Sequence, residues 1–104
     1  MVTLVAPTVT AEQFTEHPHV VRIAGICGGR AVIRGSRIAV WHIARLFRAG
    51  QTATEIAQEY THLPLTAIYD AISYFLDHRA EIEQDMADNR IENVLTALDA
   101  ALDD

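Results

Sequence analysis

GICGGRAVIRGSRIAV, Gly25 to Val40, gathers four of the chain's five glycines and three of its eight arginines into one short segment. Gly28 and Gly29 can take positive φ and close a tight turn. The β-branched runs VVRI (Val20 to Ile23) and AVIR (Ala31 to Arg34) flank that turn and read as two paired strands. Gly35 and Ser36 then break the pattern. Gly35 lets the chain bend towards Arg37, and RIAV (Arg37 to Val40) continues as a short extended piece. The glycines do not form a phosphate loop, because no GK[ST] follows and no helix starts directly after the pair.

Downstream the period changes from two to about 3.6. Ile43, Ala44, Leu46 and Phe47 mark a helix over about 40–49, with Gly50 as its stop. TATE, Thr52 to Glu55, matches a capping box and opens a second helix over Ala53 to Tyr60. The loop Thr61 to Pro64 leads to a third helix carrying Leu65, Ile68, Ala71, Ile72, Phe75 and Leu76 on one stripe. DHRAEIEQD (Asp77 to Asp85) continues that helix with a more exposed face. Asp88-Asn89 reads as an interruption, with Asp88 capping a last helix that aligns Ile91, Val94, Leu95, Leu98 and Leu102. Residues 1–18, punctuated by Pro7 and Pro18, read as an irregular arm with a helical turn near Ala11 to Phe14. The expected organisation is therefore an arm (1–18), a hairpin (19–40), a three-helix helix-turn-helix core (40–85) and an acidic amphipathic helix (86–104). The class is mainly α, a small α+β domain.

Charge is polarised along the chain. Residues 1–50 hold six arginines against two glutamates, +4, and residues 51–104 hold two arginines against twelve acids, −10; there is no lysine. Such asymmetry suggests separate faces for an anion and for a cationic partner. No apolar run approaches the eighteen or so residues of a membrane span. The opening MVTLVAPTVTAEQF has no basic segment or signal-like core, and the single Cys27 excludes an internal disulfide. Both observations fit a cytoplasmic protein.

GICGGRAVIRGSRIAVWHI, TATEIAQEY, HLPL and AISYFLDHRAEI together resemble the family known as domain of unknown function 433, over about His17 to Ile82. The double glycine and the Arg-Gly-Ser-Arg-Ile element carry the resemblance. Ala31 stands where the family usually has proline, Ser36 where it has threonine, and Pro64 where it has a capping threonine. The resemblance implies a homeodomain-like helix-turn-helix fold and a VapB-type antitoxin. Such a protein binds and silences a PIN-like ribonuclease toxin and binds its own promoter. A stand-alone helix-turn-helix regulator, or a dimeric structural domain without DNA binding, are the alternatives.

The candidate DNA-binding residues are Arg30, Arg34 and Arg37 of the glycine-rich segment, Arg45 and Arg48 of the first helix, and Thr66 and Tyr69 of the third. Arginine forks onto phosphate, and the third helix supplies no cation of its own while Asp70 repels phosphate. Ile82, Met86, Ile91, Val94, Leu95, Leu98 and Leu102 are the candidate interface for a toxin and for a second copy, with neighbouring acids imitating RNA; a homodimer is expected because the distal stripe needs burial. The sequence indicates no enzyme, cofactor or metal. Cys27 has no evident base, His17-Pro-His19 lies in the arm, and His42, His62 and His78 share no spacing with it.

Overall fold

The computed structural model describes residues 12–102. The order is β1 (Glu12–Phe14), β2 (Val20–Ile23), a 3-10 turn (Cys27–Gly29), β3 (Ala31–Ile33), α1 (Val40–Arg48), α2 (Ala53–Glu59), α3 (Leu65–Asp77) and α4 (Arg79–Leu102). The strands form one antiparallel sheet in the order β1-β2-β3. The fold is thus mainly α with a small β part.

β1 replaces the helical turn expected near Phe14. Phe14 pairs with Val21 and Glu12 with Ile23, so this segment covers the free edge of β2. The Arg34 guanidinium lies over the Phe14 ring, 5.0 Å from its centroid, and donates to Glu12 across the sheet. Three residues are too few to show a period, which is why the strand is invisible before folding.

Cys27, Gly28 and Gly29 all have positive φ, so the β2–β3 connection coils left-handed for three residues. That conformation is costly for a side-chain-bearing residue, and glycine carries two of the three positions. In the β2–β3 register Val20 faces Ile33, and both point into the helices. They meet Val40, Ile43 and Ala44 of α1, Ile56 of α2 and Ile68, Ala71 and Phe75 of α3, all fully or nearly fully buried.

α1 ends in a Schellman pattern: Gly50 N–H donates to the Phe47 carbonyl and Gln51 N–H to Leu46, with Gly50 at φ +104°. Thr52 and Glu55 make both bonds of the capping box, 3.1 and 2.8 Å.

Two helix boundaries differ from the sequence reading. α3 stops at Asp77, and His78 adopts φ −131°, ψ 50°, with its N–H still bonded to the Tyr74 and Phe75 carbonyls. The redirected α4 returns Ile82 to the core, where it is fully buried, and packs Met86 against the same cluster. α4 then runs through Asp88-Asn89 without interruption. Asp88 does not cap a new helix, because its carboxylate accepts from Gln84 one turn back and faces Arg30. From Arg90 to Leu102 every residue is exposed.

Candidate functional site

The arginines of the first half divide by their partners. Arg30 leaves the glycine turn and reaches α4, 3.1 Å from Glu92, 3.6 Å from Asp85 and 3.7 Å from Asp88. Arg34 is held by Glu12 and Phe14 on the far edge of the sheet. Arg22, half-buried, bonds Glu81 and the Tyr74 hydroxyl. Arg48 lies 3.6 Å from Glu83. The acids expected to imitate RNA therefore largely face this chain's own cations, which offset part of the charge polarisation.

Arg37 and Arg45 are different. Both are exposed, and neither makes an ion pair among the described residues. Arg45 donates to His42 Nδ1 and sits 5.7 Å from the Trp41 ring centroid. Trp41 and Asn89 form the shared wall of two adjoining depressions between α1 and α4. One, about 540 Å³, is bordered by Arg30, Arg37 and His42. The other, about 230 Å³, is bordered by Arg45, Arg48 and Arg90. Burial and the Arg45 charge both lower the His42 pKa, so its imidazole stays neutral and adds no charge to this face at neutral pH. Arg90, which the sequence reading did not single out, belongs to this cationic groove. Thr66 and Tyr69 are exposed elsewhere, beside Pro18, His19, Asp70 and Ser73. The structure thus splits the candidate DNA-binding set into two groove arginines without an ion pair among the described residues (Arg37, Arg45), three internally engaged arginines (Arg30, Arg34, Arg48), of which Arg30 and Arg48 also border the groove, and a separate patch on α3.

The candidate interface also divides. Ile82 is fully buried and completes the domain core, which corrects its assignment as a partner-contacting residue, whereas Met86 packs against that core while still lining the groove. Ile91, Val94, Leu95, Leu98 and Leu102 remain 54–81% exposed. The steps from Ile91 to Leu95, Leu98 and Leu102 are four, three and four, so they form one narrow seam along the helix.

A third cluster lies at the α3–α4 break. Asp70, Tyr74 and Asp77 share one face of α3 by their spacing of four and three. His17 Nδ1 is 2.8 Å from Asp70 Oδ1 and His17 Nε2 is 2.8 Å from Asp77 Oδ2. Asp70 Oδ2 also accepts from the His19 backbone N–H. Burial opposes a charged imidazole, but the two carboxylates outweigh it and raise the His17 pKa above its ordinary 6.5. Asp70 moves down for the complementary reason: its hydrogen bonds overcome desolvation. Asp70 is thus an anchor for the β1–β2 connection rather than an outward phosphate-repelling group. Tyr74 is buried beneath, donating to Glu81 and accepting from Arg22; burial and Glu81 push its phenol strongly up. His78 stacks on Tyr74 at 4.2 Å between centroids, and its Nε2 lies 3.0 Å from Glu16 Oε1. Ligand atoms of Glu16, His17 and His78 lie within 4.8 Å of one another. Sequence reasoning missed this cluster because Glu16 and His17 are some sixty positions from His78.

No helix among the described residues is long and apolar enough to cross a membrane. No curated protein matches the chain. Its fold is similar to the crystal structure of a DUF433 member protein from Anabaena variabilis, with a TM-score of 0.62 and 28% identity over 66% of this chain and 68% of that one. The profile of the family described as protein of unknown function (DUF433) matches residues 20–75, from the first core strand through Phe75 of α3, and the chain belongs to that family.

Proposed function

We propose that this protein is the antitoxin of a toxin–antitoxin pair and that the distal half of α4 seats in a groove of a PIN-like ribonuclease. The exposed seam Ile91, Val94, Leu95, Leu98 and Leu102 carries this reading. Five half-exposed aliphatic side chains on one helix face would release roughly 4–9 kcal/mol on burial. The resemblance to VapB-type antitoxins supplies the class of partner. Two heptads are too short for a stable coiled coil alone, so a second copy adds to a toxin contact rather than replacing it.

A second reading accompanies the first: recognition of promoter DNA through the groove around Trp41. Arg37, Arg45 and Arg90 favour it, since a polyanion would find these guanidinium groups accessible, with Arg48 beside them shared with Glu83. A stand-alone regulator would use the same groove without the seam.

Coexpression of the chain with its neighbouring open reading frame, with a tag on this chain only, tests the proposal. A PIN-like protein should copurify with its ribonuclease activity silenced, and Leu95→Asp with Leu98→Asp should release it. An active, unbound neighbour would refute it. DNA affinity that falls steeply with salt and is lost in Arg37→Ala/Arg45→Ala would carry the second reading even then.

A further inference from the structure

We propose that Glu16, His17 and His78 form a divalent-cation site of zinc type that staples the β1–β2 connection to the α3–α4 break. It is independent of the antitoxin reading. The three residues come from two distant parts of the chain, yet their ligand atoms fall within 4.8 Å of each other. A tetrahedral zinc site places nitrogen and oxygen ligands about 2.0–2.2 Å from the ion; Glu16 and His78 already lie 3.0 Å apart, so closing the set needs this pair and His17 to approach one another.

The surroundings match what such a site needs. A metal-binding histidine usually gives its other ring N–H to a carboxylate, which fixes the tautomer. His17 has that arrangement: Nδ1 faces Asp70, a carboxylate only 15% exposed and itself fixed by the His19 backbone N–H. This leaves Nε2 as the ligand. Asp77 accepts from Nε2 at 2.8 Å in the metal-free protein and is not among the three residues whose ligand atoms converge, so the ion takes its place at Nε2 and water completes the tetrahedron. His78 offers Nε2 towards Glu16 while its ring is held flat on Tyr74. The break in the helix at His78, which no proline or glycine demands, places this ring opposite Glu16. His17 is nearly buried, whereas Glu16 and Asp77 are open to solvent, so an ion has an entry path.

Binding replaces a proton on His17 Nε2 with the metal, and the proton leaves to buffer. The test is calorimetric titration of the metal-free full chain with Zn²⁺ at pH 7.5, with thermal melts in parallel. Wild type should bind one equivalent and gain about 10–20 °C in Tm at free Zn²⁺ a hundredfold above Kd. Glu16→Gln and His78→Gln should each weaken binding at least tenfold. Glu16→Gln removes one exposed carboxylate charge, so loss of its binding is not a folding failure. Absence of one-to-one binding by wild type, or either variant binding within threefold of wild type, overturns the site.

Discussion

Arg30→Gln tests whether the acidic helix is held by the glycine-rich segment or merely lies near it. Arg30 is 24% exposed and faces three carboxylates at 3.1–3.7 Å. Glu92 and Asp88 are 60% and 38% exposed, so each contributes only a few tenths to about 1 kcal/mol. Asp85 is 13% exposed and dominates. Stripping the cation from a buried carboxylate can cost about 3–5 kcal/mol. Burial already raises the Asp85 pKa from its ordinary 3.8 against the pull of Arg30, so the carboxyl can partly escape by taking a proton. The expected loss is roughly 2–4 kcal/mol at pH 7.5, or about 10–20 °C in Tm. Without Arg30 the folded pKa of Asp85 rises further. The penalty is then present above that pKa and shrinks as pH falls through it towards 4. Urea denaturation of the four members of the Arg30→Gln/Asp85→Asn cycle measures this, with Asp85→Asn recovering at least half of the loss. Arg30→Gln within 0.5 kcal/mol of wild type would show the carboxylates to be solvated and free for an external cation, and would refute the internal-latch account.

Three other outcomes follow from the same geometry. Ile82→Ala should destabilise the fold by about 2–5 kcal/mol, while Leu95→Asp should leave the melt within about 0.5 kcal/mol and remove partner copurification; equal melts would erase the division of α4. Gly28→Ala should lose more than Gly29→Ala in thermal unfolding, because a Cβ at Gly28 lies 2.9 Å from Arg30 Nη1 whereas one at Gly29 meets open space, and the difference should vanish in Arg30→Gln. The metal-free protein should lose stability as pH rises above 6.5. His17 has a raised folded pKa, so its contribution is full below 6.5 and disappears through the folded value. Asp70, with a lowered pKa, contributes above 3.8 and fails as pH falls below it. A melt in His17→Gln with the same slope between pH 6 and 8 as wild type would count against this assignment.

Much of the architecture is legible before folding. The β2 and β3 runs, the glycine turn, the capping box at Thr52 and the Gly50 stop are local devices whose chemistry lies within a few residues. What escapes is non-local. β1 exists because β2 has an edge to cover, and His78 breaks the helix because Ile82 must return to the core and Tyr74 must meet Glu81 and Arg22. The Asp88-Asn89 pair imitates a helix start, but Arg30, 58 positions earlier, and Gln84 occupy its carboxylate. The site is less legible than the fold for the same reason. Arg37 and Arg45 look equivalent to Arg30, Arg34 and Arg48 in sequence, and only the partners across the chain distinguish them.

The two halves of α4 therefore do different work. Residues up to Glu92 are tied down through Arg30, Arg48 and the burial of Ile82, although the family profile ends earlier, at residue 75. Beyond that tether the helix gains nothing from its own domain, since each residue from Arg90 onwards is exposed. A short helix with so narrow an apolar seam has little intrinsic reason to persist in water. Its helical start is templated by the anchored half, so a partner groove meets a pre-formed seam and loses less ordering entropy on binding than with a free peptide. Arg90 borders both the cationic groove and the seam. On the proposed reading, a protein bound along the seam and DNA bound in the groove would meet at that residue. Arg90→Ala should then weaken DNA binding of the toxin complex while leaving the seam's hold on the toxin intact.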